Sequence, residues 1–251
     1  MKCLILAAGY ATRLYPLTEN FPKPLLEVAG KTILDWLVDD IESGGAIDEY
    51  VVISNHRYYD CFEKWARGKA LNIKVIDDDT ETNESRLGAV KDIALAVDLL
   101  KIDTDCLVIA GDNVLDFSLN RFIEYAKEMD TSCVMRYYEP DGKRLLKSGV
   151  VTVDDRGRVT KMTEKSPNPE SNWCTPPFYF YKRDDIRLVD DAIKDGCGTD
   201  APGSLVAYLA AKTPIHAMIM PGSRYDIGDI NSYNAVCEHY KGIKQETSET
   251  K

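Results

Sequence analysis

Short apolar runs alternate with segments of helical periodicity over the first half of the chain. Four such runs, rich in Val, Ile, Leu and Ala, have the length of a buried strand: residues 3–7, 50–54, 73–76 and 106–110. Apolar residues recur at helical spacing over residues 33–41, where Gly44 and Gly45 end the pattern, and over residues 90–100. This alternation predicts an α/β domain with a mostly parallel sheet and helices on both faces.

The second half is richer in paired strands. Residues 149–153 and 159–164 predict a hairpin that turns at Arg156 and Gly157. We expect further strands at 173–181 and 214–220 and helices at 184–193, 205–211 and 232–240. Since neither a repeat nor a long linker interrupts the chain, we expect one domain over residues 1–244, in halves of about 1–115 and 116–244, and a disordered tail at 245–251.

Charge and cysteine usage narrow the possible partners. The 251 residues include 41 acidic and 31 basic side chains, a net charge of −10, which argues against the clustered Lys and Arg that nucleic-acid binding requires. Seven cysteines without a Cys-x-x-Cys pair favour reduced thiols. No segment approaches the ~18 apolar residues of a membrane helix, and no signal peptide precedes Lys2. We therefore expect a cytoplasmic protein that binds neither nucleic acid nor a membrane.

A turn of small residues follows the first predicted strand and carries two cations. Ala7, Ala8 and Gly9 lead to Arg13, and Lys23 follows between two prolines. Phosphates approach a backbone closely only where side chains are small, and proline restricts φ, which holds Lys23 in place before a ligand arrives. The pattern predicts a site for the phosphates of a nucleoside triphosphate.

A Gly-Asp-Asn triplet at residues 111–113 follows the fourth predicted strand. Ligands of open α/β sheets bind at the carboxyl ends of the strands, where both Gly9 and Asp112 fall. In proteins Mg²⁺ is bound through one or two carboxylates together with substrate phosphates. Asp112 is therefore a candidate ligand for Mg²⁺.

The segment 4–26, with Leu-Ala-Ala-Gly, then Thr-Arg-Leu and Pro-Lys-Pro-Leu, resembles the N-terminal signature of the sugar-1-phosphate nucleotidyltransferases. These are the nucleoside-diphosphate-sugar pyrophosphorylases, which include the glucose-1-phosphate thymidylyltransferases. The resemblance implies a Rossmann-like, GT-A-like α/β fold with a small β-rich acceptor-binding lobe. Residues 1–115 would then be the nucleotide-binding half and residues 116–244 the acceptor-binding half.

The resemblance also assigns roles to individual residues. Arg13 and Lys23 would be the catalytic cations, and Asp112 and Asp226 would hold Mg²⁺. The nucleotide would contact Leu6, Ala7, Ala8, Gly9, Arg13, Lys23, Gly88 and Asp112. The acceptor would contact Gly149, Glu164, Lys165 and Pro177.

The chain departs from the family pattern at several places. Ala11 stands where the family usually has glycine, and Arg224 stands where it often has tryptophan. Pro177 replaces a glycine that faces the sugar, and it removes a backbone donor. We expect the acceptor pocket to differ in shape from that of other members. Asp229, at a position that is often threonine, is also a candidate N-cap for the last helix.

The implied reaction joins a nucleoside triphosphate to a sugar 1-phosphate and releases pyrophosphate, by Mg²⁺-assisted in-line attack on the α-phosphate. Two alternatives stay open from the residues alone. One is a cytidylyltransferase acting on a phospho-alcohol or phosphonate, and the other is a non-catalytic protein that binds nucleotide sugars. The identity of the base and of the acceptor is also open. The oligomeric state is open as well, and a homo-oligomer is one of the possibilities.

A second glycine-rich segment, residues 196–201, fits the spacing G-x-G-x-x-A. In dinucleotide-binding proteins this pattern follows a strand and opens a helix. Here it follows a predicted helix, so we expect no dinucleotide site there.

Overall fold

A computed structural model describes residues 1–244. Its strands are β1 (Lys2–Leu6), β2 (Glu27–Val28), β3 (Lys31–Thr32), β4 (Glu49–Ser54), β5 (Ile73–Asp77), β6 (Cys106–Ala110), β7 (Asn113–Leu115), β8 (Ser132–Tyr138), β9 (Gly149–Val153), β10 (Val159–Glu164), β11 (Trp173–Thr175), β12 (Phe178–Tyr181), β13 (Ile215–Ile219) and β14 (Arg224–Asp226). Its α-helices are α1 (Ile33–Ser43), α2 (Tyr59–Arg67), α3 (Ala89–Leu100), α4 (Asn120–Met129), α5 (Gly142–Leu145), α6 (Arg183–Ile186), α7 (Val189–Lys194), α8 (Gly203–Ala210) and α9 (Ile230–His239).

Strands of the first half form the parallel part of a ten-stranded sheet, in the order β6-β1-β4-β5. Leu6 at the end of β1 lies beside Ile53 of β4 and Ala110 of β6. The carboxyl ends of these strands therefore share one edge of the sheet. At that edge the Gly111 amide donates to the Leu6 carbonyl at 3.0 Å, which brings the segments after β1 and β6 together.

The second half continues the same sheet with antiparallel pairs, in the order β10-β9-β11-β8-β12, and β12 pairs with β6. The tenth strand, β13, pairs with β8 in parallel. The predicted hairpin is confirmed as β9 and β10. The predicted single strand over 173–181 is wrong, because it divides into β11 and β12 at Pro176 and Pro177. Proline has no N–H to donate to a strand ladder.

Helix prediction succeeded where the apolar period was strong. The helices at 33–41 and 90–100 are α1 and α3, and the closing helix is α9. The single helix predicted over 184–193 is two, α6 and α7, because the Leu188 amide bonds to Asp185 three residues back and the α-helical ladder restarts after it. The apolar patterns did not predict α2, α4 or β8.

Two apolar clusters cover the two faces of the sheet. One joins the sheet to α1, α2 and α4, and the other joins it to α3, α7 and α8. Within β1, Cys3 and Ile5 belong to the first cluster and Leu4 to the second, as expected for a strand buried on both faces. The predicted fold class, an α/β sheet with helices on both faces, is confirmed.

Within residues 1–244, no helix is long and apolar enough to cross a membrane. The tail predicted at 245–251 lies outside the described residues.

Candidate active site

The loop after β1 is held by its neighbours on the sheet. The Ala7 amide donates to the Ile53 carbonyl at 2.9 Å, and the Asn55 side-chain amide donates to the Ala8 carbonyl at 3.0 Å. Ala11 has φ of 45° and ψ of 42°, in the left-handed region that favours glycine. The family's usual glycine therefore matches the backbone of this turn, and the alanine here is strained.

Lys23 is the first residue of a short 3₁₀ helix, Lys23–Leu25, that Pro22 precedes. Its side chain is only 8% exposed, and Nζ donates to Oδ2 of Asp112 at 2.7 Å. A buried ammonium needs such a partner, because burial without one disfavours the charged form. Lys23 is thus fixed in position by backbone restriction and by its partner carboxylate.

Asp112 follows β6 and is held on both oxygens. Oδ2 accepts from Lys23, and Oδ1 accepts from the Asn113 side-chain amide at 2.9 Å. Burial alone would raise the pKa of Asp112, but the charges of Lys23 and Arg224 outweigh it, so the pKa lies below its usual value. Asp112 is therefore a carboxylate at neutral pH, although its side chain is still 41% exposed.

Strand pairing places the second predicted metal ligand, Asp226, opposite the neighbour of Asp112. β14 pairs with β7 in antiparallel register, with Asp226 directly opposite Asn113, the neighbour of Asp112. Arg224 lies on the same face, where its Nη1 donates to Oδ1 of Asn113 at 2.9 Å and lies 3.9 Å from Oδ1 of Asp226. A chain of contacts through Asn113 and Arg224 thus connects the two carboxylates.

A cavity of about 280 Å³ opens at this edge of the sheet. Seven predicted site residues line it: Leu6, Ala7, Gly9, Arg13, Lys23, Asp112 and Pro177. Within residues 1–244, the other predicted site residues lie outside its wall: Ala8, Gly88, Gly149, Glu164, Lys165 and Asp226. The cavity therefore unites the two cations predicted to be catalytic with Asp112 and with Pro177, one of the residues predicted to contact the acceptor.

Sequence reasoning missed several wall residues, among them Ala89, Pro202, Ile227 and Gly228. Ile227 and Gly228 directly follow Asp226, so the motif that named Asp226 could have identified them. A Cβ on Gly228 would lie 3.8 Å from Nη1 of Arg13, which places that guanidinium beside the start of α9. Asp229 caps α9 through a reciprocal hydrogen-bond box with Ser232, which confirms its N-cap role.

Acceptor-side residues cluster around Glu164 at the end of β10. An added Cβ on Gly149 would lie 2.8 Å from Oε1 of Glu164, and also 2.8 Å from Oγ1 of Thr175. Burial raises the pKa of Glu164, while the Lys165 charge and the Gly203 amide oppose that rise. A larger residue at position 149 would therefore have to displace the Glu164 carboxylate and the Thr175 hydroxyl.

Pro177 forms part of the cavity wall between the two halves. Its carbonyl accepts from the Ala110 amide at 3.0 Å, and both residues line the cavity. Pro177 thus lies beside the end of β6, two residues before Asp112. A glycine there would leave this side of the cavity more open.

The start of α3 is held by backbone hydrogen bonds to a segment distant in the chain. The amides of Ala89 and Val90 donate to the carbonyls of Asp200 and Thr199, at 3.3 and 3.0 Å. Gly88, at φ of 93°, packs against the same segment. This helix start is capped by the protein's own backbone.

Two buried carboxylates in the nucleotide-binding half were not predicted. Asp78 follows β5 and accepts from the amide and hydroxyl of Thr80 at 2.8 and 2.7 Å. Burial, with the charge of Asp78, raises the pKa of Asp92 on α3 to about 7. A polar residue on an otherwise apolar helix face was the only available signal.

Several curated proteins match most of this chain in sequence. The bifunctional protein GlmU of Methanocaldococcus jannaschii is 26% identical over 91% of this chain, which spans 51% of that protein's length. The UTP–glucose-1-phosphate uridylyltransferase AglF of Haloferax volcanii is 29% identical over 91% of both chains. The catalytic subunit beta of mannose-1-phosphate guanylyltransferase from Danio rerio is 26% identical over 99% of this chain and 67% of its own.

Solved structures share the fold. A UDP-glucose pyrophosphorylase complexed with UDP-glucose has a TM-score of 0.80 at 19% identity, over 95% of this chain and 97% of that one. A putative glucose-1-phosphate thymidylyltransferase from Bacillus anthracis has a TM-score of 0.78 at 18% identity, over 98% of both chains. The model of the nucleotidyl transferase family matches residues 2–242. The chain therefore belongs to the nucleotidyl transferase family.

Proposed function

We propose that this chain transfers a nucleotidyl group from a nucleoside triphosphate to a sugar 1-phosphate and releases pyrophosphate. The observation that carries the proposal is the contact between buried Lys23 and Asp112, at 2.7 Å, in the wall of a cavity that Arg13 also lines. One relative, which matches this chain over 91% of both proteins, is an enzyme named for UTP and glucose 1-phosphate. That name supports a sugar phosphate as the acceptor.

Charge neutralisation is the main task of such a site. A phosphate monoester carries about −1.5 to −2 charges at pH 7 and must approach an anionic α-phosphate. Two unit charges 4 Å apart interact by roughly 4 kcal/mol at an effective dielectric near 20. Lys23 and Arg13 in the cavity, with Lys165 on the acceptor side, supply the opposing charge. Positioning and electrostatic stabilisation then provide the catalysis.

Asp112 and Asp226 are the residues that would hold Mg²⁺. The register of β7 and β14 supports the assignment, because it sets both carboxylates beside Asn113. Carboxylate oxygens completed by substrate phosphates are what Mg²⁺ prefers. When bound, the ion would neutralise phosphate charge and orient the two substrates.

The proposed step is a displacement at phosphorus. A phosphate oxygen of the sugar 1-phosphate attacks the α-phosphorus, and the bond from that phosphorus to the bridging oxygen of the β-phosphate breaks. The electron pair of that bond leaves with pyrophosphate. The attacking oxygen is already ionised at neutral pH, so the site needs no general base.

The free thiols of the described residues suit a reducing compartment, and we propose a cytoplasmic location.

A pyrophosphate-release screen tests the proposal. Five nucleotides (ATP, CTP, GTP, UTP and dTTP) are each combined with several hexose 1-phosphates, with phosphocholine, or with no acceptor, in the presence of Mg²⁺. We expect release that depends on both one nucleotide and one sugar 1-phosphate. Release with CTP and phosphocholine alone would favour the cytidylyltransferase alternative. Nucleotide binding without release for any acceptor would overturn the catalytic proposal.

A further inference from the structure

The segment 199–203 lies between the two halves at the cavity. On the nucleotide side, the carbonyls of Thr199 and Asp200 accept from Val90 and Ala89 at the start of α3. An added Cβ on Gly88 would lie only 2.5 Å from the Thr199 carbonyl oxygen, so the two backbones are in tight contact. This segment, which begins inside the glycine-rich stretch 196–201, is therefore packed against the predicted nucleotide-binding half.

The same segment holds the two predicted acceptor residues at the end of β10. A Cβ on Gly203 would lie 1.9 Å from Oε1 of Glu164, so this glycine gives the carboxylate its space. One residue further along, Nζ of Lys165 donates to Oδ2 of Asp200 at 2.9 Å. Glu164 and Lys165 are thus each in contact with the segment.

The Asp200 carboxylate contacts one cation from each half. Its Oδ1 accepts from Nη2 of Arg86 at 3.1 Å, while its Oδ2 accepts from Lys165. The hydrogen bond from Lys165, together with that from Arg86, lowers the pKa of Asp200 against the effect of burial, so it is ionised at neutral pH. Each oxygen therefore bonds a cation that a separate part of the chain supplies.

The ion pairs of Asp200 with Arg86 and Lys165 have side chains that are about half exposed, and exposure alone would make them weak. Two further features distinguish them from ordinary surface pairs. Lys165 has φ of 48°, a left-handed conformation that a non-glycine residue adopts only when its surroundings impose it. In addition, Ala89 and Pro202, which lie next to the Asp200 contacts, both line the cavity. Asp200 therefore restrains Lys165 beside the segment that contributes Pro202 to the cavity wall.

We propose that Asp200 is a positioning residue, which fixes Lys165 for the phosphate of the acceptor and ties it to Arg86 on the nucleotide side. The inference rests on the proposed function. Asp200 does not contact the reacting atoms and acts through Lys165. Its loss should weaken acceptor binding while leaving the chemical step of the bound complex nearly unchanged.

The test compares Asp200→Asn with the unchanged protein. Asp195→Asn is the matched control, because Asp195 is also exposed and also contacts a lysine, Lys212 at 3.6 Å, with no contact to Lys165. We expect Asp200→Asn to raise KM for the sugar 1-phosphate about three- to tenfold, with kcat and KM for the nucleotide within about twofold. Asp200→Glu should restore part of the loss, and Asp195→Asn should leave all three constants unchanged.

Titration calorimetry with the sugar-nucleotide product gives the same comparison without turnover. We expect the Kd of Asp200→Asn to rise by a similar factor. If the unchanged protein binds the product and Asp200→Asn binds it equally well, the positioning role is wrong while the proposed function stands. A fall in kcat with an unchanged acceptor KM would also overturn the positioning role. If the unchanged protein binds no nucleotide or sugar nucleotide, both proposals fail together.

Discussion

The two halves of the molecule hold their charged side chains in different ways. In the nucleotide-binding half, Lys23 is buried and in direct contact with Asp112. In the predicted acceptor-binding half, the charged side chains are more open: those of Lys165 and Asp226 are 55% and 69% exposed, and Lys165 pairs at the surface with Asp200. The charge pair on the predicted triphosphate side is therefore shielded from solvent by the protein, whereas the pair on the predicted acceptor side stays accessible to solvent.

This difference reflects how each half is assembled. The residues of the first half come from the loops after two neighbouring parallel strands, β1 and β6. Those of the second half come from β10, from the segment after α7 and from β14, and only antiparallel pairing and loop contacts bring them together. A preorganised site favours chemistry common to all nucleotides, and an open one allows the acceptor to vary.

The largest expected loss of turnover distinguishes the carboxylate of Asp112 from that of Asp226. We expect Asp112→Asn to lower kcat by at least ~10²-fold, because it removes an electrostatic stabiliser that Lys23 and Asn113 hold in place. Asp226→Asn should cost less, about tenfold, because that side chain is mostly exposed. Initial rates of pyrophosphate release at saturating substrates measure both. Near-normal turnover of Asp112→Asn would refute its assignment.

The two lysines should differ in their effect on pH dependence. Lys23 holds the pKa of Asp112 below its usual value, so Lys23→Met should raise that pKa. Because activity requires the ionised carboxylate of Asp112, activity is present at pH values above that pKa and is lost as the pH falls below it. The acid limb of the kcat/KM profile should then move to higher pH, with a rate loss of about 10²-fold.

Lys165→Met is the matched comparison for this profile. Lys165 contacts Asp200 and not Asp112, so its removal should raise KM for the acceptor and leave the acid limb in place. Profiles of the three proteins between pH 5 and 9 test the contrast. An equal shift of the acid limb in both variants would show that the two halves do not differ in this respect.

A smaller effect is expected at Arg224, which the family pattern does not predict. Its guanidinium lies 3.9 Å from Asp226, where it repels a divalent cation. We expect Arg224→Gln to lower the Mg²⁺ concentration for half-maximal activity about three- to tenfold, while Arg224→Lys, which keeps the charge, should change it less. Titration of Mn²⁺ binding by electron paramagnetic resonance checks affinity directly. Weaker binding in Arg224→Gln would mean that Arg224 serves mainly to orient the carboxylates.

The smallest effect concerns the backbone of the nucleotide-binding half. Ala11 lies at φ of 45°, so Ala11→Gly relieves strain but gives the unfolded chain more freedom. We expect the free energy of unfolding to rise by about 0.5 kcal/mol, with activity at least as high. Ala8→Gly, at a residue without positive φ, should instead lower it. Urea denaturation of both variants measures the difference.

The same contrast explains what could be predicted from the sequence. Two short motifs, each following a strongly apolar strand, made part of the site predictable. The turn and Lys23 follow β1, and Asp112 follows β6. Residues such as Asp200 and Arg86 were not predicted, because their role depends on contacts between segments distant in the chain. The division of 173–181 into β11 and β12 was missed although Pro176 and Pro177 marked it. The apolar and aromatic pattern continues across this segment, whereas the missing backbone donors of the two prolines interrupt the strand.

The most direct test follows the α-phosphate itself. The nucleotide found by the release screen is labelled at its α-phosphorus and incubated with the matching sugar 1-phosphate and Mg²⁺. We expect the label in a sugar nucleotide and none in pyrophosphate, with transfer that requires the acceptor and falls at least ~10²-fold in Asp112→Asn. Label that appears in nucleoside monophosphate without acceptor, or that stays in the triphosphate with every acceptor, would contradict the proposed transferase.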